Sequence, residues 1–260
     1  MNSTSTAQSK RSGRSRLDSA GKLCLCVLAL LLLATAIALR QPVMTTSVRA
    51  VVAATLFFAV FTGFVYLGKL FQSQPKTAYP AVFFAVLLAL WVVLGSKAPD
   101  VDALRNGYVK ELKNQVGRGY VFGGENNAGI DCSGLARVAL WQAMLKEGIR
   151  EFNPYLLGPT LWKFWWRDMT TGNIGESRYG YTVELGREDK LAGADFSGYQ
   201  RGDMAVVGNS HVLIYIGNDQ WIEATPEDGK VVINKADADS KRPHFNTRVK
   251  LMRWWILREQ

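Results

Sequence analysis

Three long apolar runs dominate the first third of the chain. They cover residues 23–39, 50–68 and 77–96, which are 17, 19 and 20 uncharged residues with basic residues beside them. A helix rises about 1.5 Å per residue, so each run can cross about 30 Å of hydrocarbon, the first only just. The pattern predicts three transmembrane helices. A buried helix of a soluble protein is the alternative for any single run, and three consecutive runs make it the weaker interpretation.

The pattern changes after residue 97. Apolar positions recur at helical spacing over residues 100–117 and again over 132–146, with a Gly-rich loop between them. From residue 203 onward the apolar runs are short and typical of strands: MAVVG, HVLIYIG, QWIEAT, KVVI and RVKLMRWWIL. Helices followed by antiparallel strands predict an α+β fold for residues 97–260, a length sufficient for one domain.

Composition and charge support this division. Of 260 residues, 48% are hydrophobic and 20% are charged, which excludes a disordered or fibrous protein. The formal net charge is +9, from 31 basic and 22 acidic residues. Residues 1–96 hold nine of the basic residues and one acid, so residues 97–260 hold 22 basic residues and 21 acids. The folded domain is therefore nearly neutral, which argues against nucleic-acid binding.

The basic residues of the N-terminal third predict a membrane orientation. Residues 1–20 are rich in Ser and basic residues and are predicted to be a disordered cytoplasmic tail. The basic residues of this tail and the two lysines of the second loop outnumber the two arginines of the first loop. Because loops rich in basic residues stay on the cytoplasmic side, the tail is predicted to be cytoplasmic. Three spans then put residues 97–260 on the far side of the membrane. A cleaved signal peptide is the alternative for the first run, but no small-residue cleavage site follows it cleanly.

One cysteine of the soluble domain stands at the predicted start of a helix. A lone cysteine is usually a small core residue. Cys132, however, follows a Gly-rich loop and begins CSGLARVALWQAML, where helix-terminal N–H groups can stabilise a thiolate and an oxyanion. Such a nucleophile needs a base. His244 lies in the polar stretch DSKRPHFN and is expected on the surface, which leaves His211, at the start of an apolar strand, as the candidate.

Both segments resemble a known family. YVFGGENNAGIDCSGLARVAL is similar to the nucleophile segment of the NlpC family of cell-wall cysteine peptidases, which are papain-like. GDMAVVGNSHVLIYIGNDQWIEA is similar to the family's histidine segment, and the order of cysteine before histidine also matches. The resemblance covers residues 101–257 and does not include the three apolar runs. It implies a papain-like α+β fold in which Cys132 is the nucleophile and His211 the general base.

The resemblance also implies a third residue, which orients the imidazole. The matching position is Glu223, where the family usually has His, Asn or Gln; a carboxylate can also accept the imidazole N–H. A two-residue turn at residues 218–219 would put His211 and Glu223 on opposite faces of the hairpin. A three-residue loop, 217–219, pairs Leu213 with Glu223 and puts His211 on the same face. A solvated strand residue is the alternative interpretation of Glu223.

Three further residues match positions that line the family's substrate cleft. Tyr120 and Asp131 flank the nucleophile, and Asp131 could hold a cationic amine of the substrate or only cap the helix. Ser133 is expected to contribute its backbone N–H rather than its hydroxyl. No metal or other cofactor is implied, because two separated histidines and no Cys-x-x-Cys give no metal-binding pattern.

The segment 155–181 is longer and richer in tryptophan than the resemblance implies. A helix capped by Thr160 that packs its tryptophans onto the core is one interpretation. A wall of the cleft, a sugar-stacking surface and a contact with the bilayer interface are the others, and the sequence does not separate them.

The resemblance implies a cysteine endopeptidase of a bacterial inner or plasma membrane, with its catalytic domain periplasmic or extracellular. Its expected substrates are amide bonds of peptidoglycan stem peptides, typically next to D-glutamyl residues. An acyltransferase or amidase acting on a lipid or protein is the rival enzyme, favoured if the domain faces the cytoplasm. A non-catalytic wall-binding module is the other alternative, and the presence of both Cys132 and His211 argues against it.

Overall fold

The structure is a computed structural model that describes residues 4–73, 75–95 and 97–259. It divides into two compact units, Met1–Leu88 and Ala89–Gln260. Three helices account for the N-terminal part of the chain: α1 (Thr4–Ala38), α2 (Thr46–Ser73) and α3 (Pro75–Leu94), the last of which crosses the boundary between the units.

α1 begins well before the predicted first span. Its backbone is helical from Thr4, where the sequence predicts a disordered tail over residues 1–20, of which residues 1–3 lie outside the described part of the chain. The tail contains no proline, and a helix already formed over an apolar run can extend toward its N-terminus without a new nucleation step. α1 meets α2 through the hydroxyls of Thr35 and Thr55, which hydrogen-bond at 2.7 Å.

Among the described residues, two helices, rather than the three predicted, are long and apolar enough to cross a membrane. Gly21–Ala38 and Thr46–Tyr66 meet this condition, although the first lies near the N-terminus, where signal sequences have the same character. The described apolar part of α3 is Val82–Leu94 only. The helix itself is 20 residues long, from Pro75 to Leu94, and contains Pro80.

The C-terminal unit has the predicted α+β architecture. α4 (Val101–Lys113) and α5 (Cys132–Arg150) pack on each other and on a six-stranded antiparallel sheet of order β3-β8-β4-β5-β6-β7. The remaining helices are α6 (Pro154–Leu157), α7 (Pro159–Trp166) and α8 (Thr171–Gly175). The strands are β1 (Glu125–Asn126), β2 (Gly129–Ile130), β3 (Thr182–Glu188), β4 (Met204–Val207), β5 (His211–Gly217), β6 (Gln220–Thr225), β7 (Lys230–Lys235) and β8 (Val249–Trp254).

The central strands of the sheet, β4, β5 and β6, are buried on both faces. Val212 and Ile214 of β5 belong to the core shared with α4 and α5, whereas Leu213 and Tyr215 belong to a second core on the opposite face. Phe196 and Phe245, from the connections before β4 and before β8, close that second core. This double burial explains why HVLIYIG is apolar almost without interruption. It also places the start of β5, where His211 lies, in the protein interior.

The β5–β6 hairpin combines both turn geometries considered from the sequence. Asn218 and Asp219 form a two-residue turn with φ of 55° and 58°. A bulge between Tyr215 and Gly217 then shifts the register, so that Ile214 pairs with Ile222. This is the register expected for the three-residue loop, and it puts His211 and Glu223 on the same face of the hairpin.

The Trp-rich segment forms a helix whose buried residues are not tryptophans. α7 begins after Gly158 with Pro159 in its first turn, so Thr160 is not its cap. Phe164 is fully buried in the first core, while Trp162 and Trp166 remain 44% and 39% exposed. The interpretation that the tryptophans pack onto the core is therefore wrong for these two residues.

Candidate active site

Cys132 is the first residue of α5, and Asp131 is the cap of that helix. One carboxylate oxygen of Asp131 accepts from the Gly134 N–H at 2.5 Å and from the Ser133 hydroxyl at 3.0 Å. The other oxygen accepts from the Gly123 N–H at 2.8 Å. Asp131 therefore joins the Gly-rich loop to the helix start, as its capping interpretation requires.

The Gly-rich loop packs directly against the first turn of α5. A Cβ atom at Gly134 would collide with the carbonyl oxygen of Gly124, so only glycine allows this approach. Arg137, one turn further along α5, forms a buried ion pair with Glu125 of the same loop. These contacts hold the backbone around Cys132 in one position.

The thiol of Cys132 is buried but surrounded by polar atoms. Its Sγ lies 3.6 Å from the Thr171 hydroxyl and donates toward the Ser210 carbonyl at 4.0 Å. The first N–H groups of a helix have no intrahelical acceptor. Because Asp131 takes that of Gly134, the N–H groups of Cys132 and Ser133 are the ones available to a bound oxyanion.

His211 and Glu223 meet on the shared face of the β5–β6 hairpin. Nε2 of His211 lies 2.7 Å from Oε2 of Glu223, and the Glu223 side chain is almost completely buried. Cys132 contributes to the raised pKa of His211, while the hydrogen bonds of the Cys132 Sγ go to Thr171 and Ser210. Because Nε2 faces the carboxylate, Nδ1 is the nitrogen left for the thiol. The three predicted residues thus form a continuous thiol–imidazole–carboxylate chain, and Glu223 is not the solvated residue of the alternative interpretation.

Four side chains donate to the Glu223 carboxylate. His211 and His244 share Oε2, at 2.7 and 3.3 Å. Oε1 accepts from Asn234 at 2.9 Å and from Arg242 at 3.3 Å. Burying a carboxylate costs several kcal/mol unless donors replace the lost water, and this set of donors meets that need.

These contacts shift the pKa values of His211 and Glu223 in opposite directions. Burial alone lowers the pKa of His211, but hydrogen bonds and charge from Cys132 and Glu223 outweigh it and raise the pKa to about 9. Burial raises the pKa of Glu223, but hydrogen bonds from His211 and His244 outweigh it and lower the pKa to about 2. At neutral pH the site therefore holds a protonated imidazole beside an ionised carboxylate.

His244 lies inside the site, although the sequence predicts a surface position. Its ring stacks on that of His211 with centroids 3.9 Å apart and planes inclined by 17°. The adjacent Phe245 is buried in the second core and brings His244 inward. Phe245, an apolar residue within DSKRPHFN, was the one signal in the sequence that this segment turns toward the interior.

The three predicted cleft residues surround Cys132 to different degrees. The pKa of Tyr120 is raised by its partial burial and then by the charges of Cys132 and Asp131, which places its ring beside both. The Asp131 carboxylate and the Ser133 hydroxyl are engaged with each other and with the helix start. Contact of any of the three with a substrate stays a prediction.

Within the described residues, one group could offer three metal-ligand atoms. His211, Glu223 and His244 hold such atoms within 4.8 Å of one another. These atoms already hydrogen-bond one another, and Arg242 donates to the same carboxylate. A divalent cation there would meet the fixed positive charge of Arg242, so we assign no ion to this group.

A groove lies next to this site. Its volume is about 320 Å³, and Gly175, Asn209 and Lys250 are among its lining residues, together with Arg187 and Arg248. α8 connects the groove to the nucleophile, because Thr171 at its start contacts Cys132 and Gly175 is its last residue. The lining of a larger cavity, about 640 Å³ in volume, includes none of the predicted catalytic residues.

Several solved structures are similar to this chain. No curated protein matches it. Similar solved structures include the P60 domain of an M. avium subspecies paratuberculosis antigen, at 20% identity over 61% of this chain and 98% of that one, with a TM-score of 0.38. The peptidoglycan hydrolase RipB of Mycobacterium tuberculosis is also 20% identical, over 62% and 70% of the two chains, with a TM-score of 0.36.

A third similar structure is an NlpC/P60 family protein from Bacillus cereus, at 20% identity over 62% of this chain and 41% of that one, with a TM-score of 0.37. The sequence pattern of the NlpC/P60 family itself matches residues 117–249, just over half of this chain. That range contains the loop before α5, the β5–β6 hairpin and the thiol–imidazole–carboxylate chain that they assemble. The protein belongs to the NlpC/P60 family.

Proposed function

We propose that this protein is a membrane-anchored cysteine endopeptidase that hydrolyses amide bonds in peptidoglycan stem peptides. The observation that carries the proposal is the contact chain from Cys132 through His211 to Glu223 at a helix N-terminus. The family supports the substrate class, since RipB and SagA are described as peptidoglycan hydrolases. Release of soluble muropeptides from purified peptidoglycan by the full chain in detergent is the test.

The first half of the reaction forms an acyl-enzyme. The Cys132 thiolate attacks the carbonyl carbon, and the oxyanion that results is bound by the N–H groups of Cys132 and Ser133. The carbon–nitrogen bond then breaks, and His211 gives its Nδ1 proton to the leaving amine. A thioester on Cys132 and a neutral imidazole remain.

The second half restores the enzyme. A water molecule gives a proton to Nδ1 of His211 and attacks the thioester carbonyl, and the thiolate leaves as the carboxylic acid product departs. Throughout, Glu223 accepts the Nε2–H bond and stabilises the imidazolium without taking its proton.

The basic groove suits the acidic part of a stem peptide. Arg187, Arg248 and Lys250 line it and outnumber its one acidic lining residue, Glu176, and stem peptides carry free carboxylates. α8 is five residues long, so its two ends are about 6 Å apart. A substrate bound at Cys132 can therefore extend a carboxylate into the groove. To bind that carboxylate, Arg187 would give up its ion pair with Glu184 and Arg248 its ion pair with Asp189. Both ion pairs are exposed, so losing them costs little free energy.

The two pKa shifts predict the pH dependence of hydrolysis. The active form needs protonated His211 and ionised Glu223, so kcat/KM should fall as the pH rises through about 9. Glu223→Gln removes a charge that raises the pKa of His211, and the alkaline limb should move to lower pH. Rates of the wild type and Glu223→Gln between pH 5 and 10 locate the alkaline limb of each protein; an alkaline limb identical in the two proteins would contradict the assignment.

We also propose that α3 is the third membrane span. It is a 20-residue helix, and polar first turns can lie at the interface while its apolar part crosses a locally thinned bilayer. With the N-terminus inside, three spans put the catalytic domain outside, whereas two spans would return it to the cytoplasm, away from peptidoglycan.

A periplasm-only reporter fused after residue 260 should therefore be active. The same reporter should be active in the loop between α1 and α2, after Gln41, and silent between α2 and α3, after Ser73; these fusions are the matched controls. A well-expressed but silent fusion after residue 260, with both controls as expected, would reverse the orientation.

The rival enzyme is an acyltransferase or amidase on a lipid or protein, built on the same thiol and imidazole. The observation that favours it is that two helices among the described residues qualify as membrane spans, because two spans would leave the domain in the cytoplasm, away from peptidoglycan. The silent reporter described above, together with acyl transfer from Cys132 to an added amine in preference to water, would select it.

A further inference from the structure

His244 touches the site at two points that the proposed mechanism does not use. Its ring covers one face of the His211 ring at 3.9 Å, and its Nδ1 lies 3.3 Å from the Glu223 oxygen that His211 also contacts. The residue comes from a short 3-10 helix, Pro243–Asn246, that precedes β8. It is separated from both partners in sequence and reaches them only through the fold.

A stacked ring restrains its neighbour in two ways. An imidazole turns about its Cβ–Cγ bond, and a parallel ring in van der Waals contact blocks that rotation. The same ring excludes water, and His211 is only 4% exposed. His211 must keep Nε2 on Glu223 and Nδ1 on Cys132 at once, so its orientation determines whether the proton can move between thiol, substrate and imidazole.

The other donors to Glu223 do not share this position. Asn234 and Arg242 contact only Oε1, the oxygen turned away from His211. Arg242 is also paired with Asp228 at 2.8 Å, which places its second charge partner outside the site. The ionisable and charged groups around the two stacked rings are therefore Cys132, Glu223 and the Arg242–Asp228 pair.

We propose that His244 is a positioning residue for His211: it holds the imidazole plane by stacking and shields it from water while sharing its carboxylate. This inference rests on the proposed function, since the step it serves is proton transfer in thiol-dependent hydrolysis. His244 itself exchanges no proton with the substrate in this scheme. Of its two contacts, the stacking carries the effect, because the hydrogen bond is longer than the one that His211 makes.

The experiment compares four variants of the full chain in detergent on purified peptidoglycan. His244→Ala should lower kcat roughly tenfold to a hundredfold and leave KM unchanged, because the substrate is still bound but the imidazole is misplaced. Removing the His244 ring lets water stabilise the imidazolium and leaves Oε2 of Glu223 to His211 alone. The alkaline limb should therefore move to higher pH, opposite to the shift in Glu223→Gln.

Two substitutions separate the contacts of His244. His244→Phe keeps a flat ring over His211 and should recover most of the kcat and the original alkaline limb. His244→Gln keeps a donor for Glu223 without the ring and should resemble His244→Ala. Thr247→Ala is the matched control, since it removes a hydrogen bond to Pro243 within the same connection and should leave both readouts unchanged.

A substrate-free measurement distinguishes failure of this inference from failure of the proposed function. Iodoacetamide alkylates Cys132, and the mass of the modified peptide reports the extent of the reaction. The alkylation rate should change when His211 loses its proton, because a thiolate without an imidazolium partner is the stronger nucleophile. The pH at the midpoint of this rate change should rise in His244→Ala and return to the wild-type value in His244→Phe, even if none of these proteins digests peptidoglycan.

Wild-type kcat and an unmoved midpoint in His244→Ala would overturn the inference. Equal damage in His244→Phe and His244→Ala would overturn it as well, because the stacked ring would then be irrelevant. A midpoint that moves to lower pH, as in Glu223→Gln, would also contradict it.

Discussion

Cys132→Ala should reduce muropeptide release by roughly 10⁴-fold or more, to the background of the assay, because no other group at the site can form the acyl-enzyme. The side chain is small and buried, so alanine leaves only a minor cavity and the fold should persist. Substrate binding should also persist. The measurement is soluble muropeptide released from purified peptidoglycan per mole of the full chain.

Cys132→Ser is the closer test of the thiol itself. It keeps a hydroxyl at the same position, but the hydroxyl stays protonated beside His211 and should be nearly inactive. Cys24→Ala, in α1, is the matched control and should retain wild-type release. Equal release by Cys132→Ala and the wild type would remove the peptidase proposal.

Glu223→Leu should have the second largest effect, on both activity and stability. A leucine leaves His211 without its acceptor and removes the acceptor of Asn234, while Arg242 keeps its ion pair with Asp228. Removing one partner of a buried charged network costs about 3–5 kcal/mol. Glu223→Gln should lose less activity and less stability than Glu223→Leu, because an amide oxygen still accepts the imidazole N–H.

The sign of the pH effect on stability follows from the Glu223 ionisation. Its pKa is lowered to about 2 in the folded protein from an ordinary 4.5, so the ionised carboxylate stabilises the fold. This contribution is present above pH 4.5 and is lost as the pH falls toward 2. Thermal unfolding of wild type and both variants between pH 3 and 7 measures it; a wild-type stability that rises on acidification across this range would contradict the assignment.

The sequence predicted the parts of the site that depend on local structure. Cys132 was assigned to a helix start because glycines and Asp131 precede an apolar helical pattern, and α5 begins there. The sequence left open whether His211 and Glu223 share a face of the hairpin, and the register of β5 and β6 puts them on the same face. The device that aligns them, a bulge beside a two-residue turn, was not predicted, because its formation depends on how β5 packs against both cores.

Features that depend on distant packing were missed. His244 sits in a polar stretch, and only the burial of Phe245 in the second core carries it to His211. β3 is an edge strand with a half-exposed, charged sequence, so its apolar pattern gave no strand signal. The third span is predicted from an uncharged run that forms the helix α3, and its crossing of the membrane stays a proposal.

The central claim is tested most directly by the mass of the products that the full chain forms from purified peptidoglycan. Each cleavage should add one water across an amide bond of a stem peptide, giving a new amine and a new carboxylate, and the products should be absent with Cys132→Ala. Products cut at a sugar linkage, or the same peptide products from Cys132→Ala, would contradict the account.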